Sequence, residues 1–244
     1  MAQINPAERL SDDVGVLVSR LKQRAEYAIV LVDMPDLKRL VTSTPMRELP
    51  TVLDNPYAYV LGYLTVVDRP RHYASRSTRR VGSPDACGDT LEVTAAAARR
   101  GWGPLLHDVA LGFAAELGRA GVVPDRSSNT EPEQAIWRHY WIRRPDVESE
   151  PVPTNCPRFS APTLDRVYRA GPTFDVAALG RAKQLTAKKL RALAVSADLE
   201  LGPLTHSIVR AGVGLFLDLF HAEVLGHPTG GRVANPRKRA LLRI

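Results

Sequence analysis

Hydrophobic and polar positions along the chain switch between two periods, and the switches mark the predicted elements. In residues 11–24 (SDDVGVLVSRLKQR) Val14, Leu17, Val18 and Leu21 share one face at helical spacing behind a Ser or Asp cap, which predicts a helix. The β-branched run YAIVLVD at 27–33 predicts a strand, while 35–48 is ambiguous. A longer strand is predicted over 57–68 (YAYVLGYLTVVD), where the interior Gly62 marks a bulge or a close backbone approach. TLEVTA at 90–95 reads as a further strand. Leu106, Val109, Ala110, Phe113 and Leu117 then recur at helical spacing, and Gly118 with Gly121 closes that helix. A short strand at 121–125 (GVVPD) leads to a helix start in which Thr130 and Glu133 fit a capping box and Pro132 sits in the first turn. Along that helix Ile136, Trp137, Tyr140 and Trp141 make an aromatic face.

Six prolines and little periodicity in 145–172 predict a linker or a strand-poor wrapping segment. Beyond it, 174–197 and 203–225 read as amphipathic helices, followed by a basic tail rich in Gly and Pro. The expected organisation is an α/β (α+β) domain over 1–147, a Pro-rich linker over 148–172 and a helical extension with a basic tail over 173–244.

The net charge of +7 changes this picture because it is clustered, at 69–80 (RPRHYASRSTRR) and in the tail NPRKRALLRI. Such clusters favour anionic partners, nucleic acid among them, although solvated basic loops read the same way. The loop has phosphate-binding side chains but a single aromatic, Tyr73, for stacking on bases. Cys87 and Cys156 are the two cysteines, and their spacing indicates neither a disulfide framework nor a zinc site, so a reducing compartment is expected. The N-terminus does not look like a signal peptide, and without a run of about 18 apolar residues no membrane span is expected.

The candidate chemistry lies in EVTAAAARRGWGPLLHDVAL, 92–111, where a strand feeds a helix through Gly-Trp-Gly. Such a junction aims unpaired N–H groups and the positive end of the helix dipole at one point, a favourable place for phosphate, and is equally a tight turn. A P-loop is excluded by the missing Gly-Lys-Ser/Thr, and a dinucleotide fingerprint by Leu106 at its third glycine.

A third pattern fits the spacing. LEVTAAAARRGWGPLL resembles the signature of the GNAT acyltransferases, a strand of form L-x-V followed five residues later by Gln or Arg, then x-x-G-x-G/A and a helix. Val93 stands at the valine, Ala98 at the Gln/Arg position, and Gly101 and Gly103 at the glycines. YVLGYLTVVD resembles the family's third strand, and GVVPD with QAIWRHYWIRR occupies the place of its next strand and aromatic helix, so the resemblance covers about 57–147. PDRSSNTEPEQAIWRHYWIRRPDV is also similar to a branch of GNAT-like proteins of tailed bacteriophages.

The resemblance implies a mixed, largely antiparallel sheet flanked by helices and a cytoplasmic N-acetyltransferase using acetyl-CoA. Its pyrophosphate would lie on the N–H groups of Arg99, Arg100, Gly101, Trp102 and Gly103, and its pantetheine beside Leu91 to Val93, with Ala98 contributing through its backbone. Amine attack needs a base and the leaving thiolate a proton, which gives Glu92 as candidate base and Tyr140 as candidate acid, with His139 as the neighbour able to take its place. Two departures stand out: Ala98 lacks the usual side chain, and Pro104 lacks an N–H just after the second glycine. They favour a second reading, a scaffold or interaction protein that kept the fold and lost turnover, including a virion component. The third reading is nucleic-acid binding through 69–80 and the tail. The apolar stripe of Ile208, Val209, Val213, Phe216, Leu217 and Phe220 suits docking on the domain, self-association or a protein partner.

Overall fold

The computed structural model describes residues 14–21, 25–68, 89–125, 131–153, 156, 161–174 and 201–224. In chain order the elements are β1 (Val14–Arg20), β2 (Glu26–Asp33), α1 (Met34–Ser43), α2 (Leu49–Leu53), a 3-10 turn (Pro56–Ala58), β3 (Val60–Asp68) and β4 (Thr90–Ala98). There follow α3 (Gly103–Glu116), β5 (Gly121–Val123), α4 (Glu131–Arg143), β6 (Val147–Pro151), β7 (Arg166–Ala170) and α5 (Leu201–Val224). The strands form one sheet in the order β1-β2-β3-β4-β5-β7-β6. Neighbours are antiparallel except β4 and β5, which run parallel because α3 carries the chain from one to the other. The architecture is therefore a mixed, largely antiparallel sheet flanked by helices.

Each sheet face has its own core. Ile29, Leu31, Leu64, Leu91 and Val93 pack with Leu106 and Phe113 of α3 and Trp137 of α4. On the opposite face Ala28, Val30, Val32 and Tyr63 pack with residues of α1, α2 and α5. Asp33 starts α1 by accepting a 2.9 Å hydrogen bond from the Asp36 N–H, which settles the ambiguous stretch after β2 as helix.

Two predicted segments are corrected. Residues 14–20 are a strand and not a helix: Val14, Val16 and Val18 alternate toward the α3 side while Leu17 and Leu21 join the other core. Positions 14, 17, 18 and 21 fit a helical face, but β-branched residues at 14, 16 and 18 fit a pleated surface and pair with β2. The second correction concerns the segment read as a linker, which carries β6 and β7. β6 is polar and ends in Pro151, features an edge strand tolerates, and Arg169 of β7 bridges to Glu148 and Glu150 across the pair.

The expectation for Gly62 holds. A Cβ there would sit 3.3 Å from Leu106 Cδ2, and the β2–β3 register shifts beside it. The capping residue Thr130, residues 175–197 of the helix expected at 174–197, the 69–80 cluster and the basic tail lie outside the described residues. No helix among the described residues is long and apolar enough to cross a membrane. Cys156 is buried and disulfide-bonded, against the sequence-based expectation; the chain's other cysteine lies outside the described residues.

The predicted helix at 203–225 is α5, and it docks on the sheet. Leu204, Ile208, Ala211 and Leu215 recur at helical spacing and bury that face. Gly212 lets it approach closely, since a Cβ there would stand 2.5 Å from Tyr63 Cδ2. Gly212→Ala is expected to cost about 1–3 kcal/mol by overpacking, read as a lower urea midpoint.

Candidate functional site

The parallel pairing of β4 with β5 is short. Thr90, Leu91 and Glu92 face Gly121, Val122 and Val123, and there β5 ends. β4 continues to Ala98, still paired with β3 on its other side. Among the described residues no strand pairs with 93–98 on the β5 side, so β4 offers an open backbone edge there. Four consecutive alanines, 95–98, keep that edge narrow, and each is partly exposed.

The edge runs into the Gly-Trp-Gly turn. The Arg99 N–H donates to the Leu61 carbonyl at 2.9 Å and the Trp102 N–H to the Arg99 carbonyl at 3.0 Å. Gly101 has φ 89°, where a side chain is disfavoured, which explains glycine at the tip. α3 begins at Gly103 with no side-chain cap from Trp102, and its positive end lies at the turn. The side chain of Trp102 packs against the α3-side core.

Arg99 points away from the turn. Its guanidinium donates to the carbonyls of Pro56, at 3.3 Å, and Tyr57, and so clamps the 3-10 turn to the end of β4. Arg100 is exposed beside the turn. Leu91 is flanked by paired strands on both sides, so it lies outside the open edge, and the side chains of Leu91 and Val93 are sealed in the core. Glu92 lies on the sheet face opposite Leu91 and Val93 and is buried, 6% exposed.

Tyr140 is tied into the α3–α4 interface. Its hydroxyl lies 2.8 Å from the Pro104 carbonyl oxygen and 2.7 Å from Asp108 Oδ1. Burial, with the Asp108 charge beside it, raises its pKa well above the ordinary tyrosine value. Asp108 also receives Arg144 Nη1 at 3.1 and 3.3 Å, and Arg144 holds Asp146 at 2.6 and 2.7 Å. This largely buried chain ties the start of α3 to the end of α4, with Tyr140 at its centre. His139, its alternative, is partly buried on α4 and its pKa is lowered by burial and by Arg144 and Arg143.

Sequence reasoning did not find Asp108 or Arg144. The signal was a lone carboxylate in the apolar run of α3, at a position whose neighbours Leu105 and Val109 are buried. It also missed a hydroxyl pair. The β3–β4 register passes from Val66 opposite Val93 to Thr65 opposite Ala95, which leaves Thr94 as a bulged residue. Thr94 is exposed, and its Oγ1 lies 2.8 Å from the Oγ1 of buried Thr65.

His107 and Asp108 carry opposing pH dependence. His107 Nδ1 lies 2.9 Å from the Gly103 carbonyl, which only accepts, so Nδ1 bears the proton; Nε2 is buried without a hydrogen-bond partner among the described residues. Burial lowers its pKa to about 4, so its contribution to stability is complete above 6.5 and is lost as pH falls toward 4. Burial raises Asp108 to about 6, against the pull of Arg144 and Tyr140, so its contribution is complete below 3.8 and is lost as pH rises through 6. The two slopes oppose, so urea stability is expected to vary little between pH 4 and 6. Asp108→Asn is expected to leave stability rising with pH across this window, and His107→Leu to leave it falling; unchanged profiles in both variants would contradict the assignment.

No protein-family model, no curated protein and no solved structure matches the chain.

Proposed function

We propose that the chain binds acetyl-CoA along the open edge of β4 and transfers its acetyl group to an amine. The observation that carries this reading is the parting of β4 from β5 after Glu92, which leaves extended backbone leading into a glycine turn and a helix N-terminus. An arm built from amide units can pair with such an edge as an added strand does, and a diphosphate suits the helix start. The order β4, glycine turn, α3, β5, α4 is also the order that the GNAT resemblance implies.

The residues fit this ligand with changed emphasis. Backbone of 93–98 takes the arm, and the start of α3 takes the diphosphate without the N–H groups of Arg99 and Trp102, which already donate to the Leu61 and Arg99 carbonyls. Arg100 supplies the exposed cation while Arg99 shapes the rim. Pro104 withholds one donor. Bound acetyl-CoA supplies an activated acyl carbon. Glu92, two residues before the bulge, is the base of this reading.

Calorimetric titration with acetyl-CoA tests it, with Gly103→Glu as the variant. A Cβ at Gly103 would stand 3.1 Å from Ile136 Cδ1, and the added carboxylate would meet the diphosphate with like charge. Saturable binding by the wild type, weakened at least about a hundredfold in the variant, a loss of about 3 kcal/mol, is the expected result. Absence of binding by folded wild-type protein would overturn the reading in favour of a scaffold or virion component that kept the fold alone.

A further inference from the structure

We propose that the Thr94 hydroxyl, oriented by Thr65, is the donor to the acyl carbonyl oxygen; this rests on the acetyl-transfer reading above. Thr94 is two residues beyond the last β4–β5 pair, where the open edge begins. The bulge makes it the extra residue of β4 opposite β3, and unlike its neighbours 91–93 it is exposed. A bulge re-aims a side chain, and here it brings a hydroxyl to the point where the strands part.

Thr65 is 4% exposed, and among the described residues its hydroxyl lies 2.8 Å from Thr94 Oγ1. Either hydroxyl can donate in this pair; in this proposal the donor is Thr65, because a buried hydroxyl proton without an acceptor is costly while the exposed Thr94 can turn its own outward. The Thr94 proton is then directed away from Thr65, toward solvent or ligand. At about 3.3 Å per residue, the edge from Thr94 to Ala98 is about 13 Å long, so an extended arm anchored at the turn carries its acyl end toward Thr94.

In the transfer, the amine nitrogen forms a bond to the acyl carbon and the carbon–sulfur bond breaks. The sulfur leaves with the bonding pair, and the proton lost by the amine passes through the base to the thiolate, giving amide and thiol. Thr94 gains and loses no proton; its donated hydrogen bond strengthens as negative charge gathers on the carbonyl oxygen. Thr65 is a positioning residue, because it acts through Thr94.

Infrared spectroscopy of acetyl-CoA labelled with 13C at the thioester carbonyl tests this without a known acceptor. With saturating protein, the carbonyl band is expected to move to lower frequency on wild type and on Thr94→Ser, which keeps the hydroxyl. It is expected to stay near its free position on Thr94→Val and to broaden on Thr65→Val, where Thr94 is no longer oriented. Calorimetry on Thr94→Val is expected to show affinity lowered by no more than about tenfold, the worth of one neutral hydrogen bond. A band on Thr94→Val shifted as far as on wild type overturns the role of Thr94. Bound acetyl-CoA with no shift on wild type does the same while leaving the binding site standing, whereas no binding by wild type overturns both.

Discussion

Arg144→Met is expected to cost the fold about 3–5 kcal/mol at pH 7, the loss typical when one partner of a buried ion pair is removed. Arg144 lies just beyond α4 with a side chain 13% exposed, and it donates to both oxygens of Asp108, which is 2% exposed. Its cation also lies over the Tyr140 ring, 5.3 Å from the centroid. Without it Asp108 keeps the Tyr140 hydroxyl as hydrogen-bond donor but loses the opposing charge. The Asp108 carboxyl then moves further above its present value of about 6. The variant therefore regains stability as pH falls and Asp108 protonates in the folded state. Urea unfolding at pH 7 and pH 5 measures both effects. A second change, Asp108→Leu, is expected to restore much of the loss, because an apolar pair needs no charge partner. A loss under about 1 kcal/mol would mean that the pair is not what locks α3 to α4.

The second large effect is expected at the joint between β5 and β7. Gly121 has φ 154°, a conformation that L residues rarely adopt, and a Cβ there would meet the Tyr168 carbonyl oxygen and lie 2.8 Å from Val167 Cγ1. Gly121→Ala adds backbone strain of about 1–3 kcal/mol to overpacking of about 1–3 kcal/mol, so a loss of about 3 kcal/mol or more is expected. The joint has little reserve, since Val122 opposite Tyr168 is its single register pair. Opening it disturbs the Trp137–Tyr168 contact, rings 4.8 Å apart, through which α4 rests on β7. Faster proteolysis near β7 together with a lower urea midpoint is the expected signature. Wild-type stability in the variant would contradict the close approach.

Where one period ran long and alone, the fold was legible. The strand around 60–68, the helix after the glycine turn and the docking helix at 201–224 all declare themselves by apolar spacing, and two opposed core faces keep those patterns. β1 reads as a helix because it and Leu21 just after it serve both cores, which places Leu17 and Leu21 at an interval that also fits a helix. β6 was hidden because an edge strand buries little and accommodates Pro151 and two glutamates. At the candidate site the glycine turn was visible as local chemistry. The open edge was not, since it arises from β5 stopping after three residues. Nor was the Asp108–Arg144 pair, whose partners are 36 residues apart and meet only when α4 packs on α3. The same holds for Thr65 and Thr94, joined across a bulge that no spacing announces.

Amide hydrogen exchange with and without acetyl-CoA reports the place of binding as well as its occurrence. Slowed exchange is expected to concentrate in 93–98 and in 99–106, the open edge and the turn into α3, with β1 and β6 unchanged. Protection concentrated on α5 or on the β6 edge, or none at saturating acetyl-CoA, would contradict binding along the open edge.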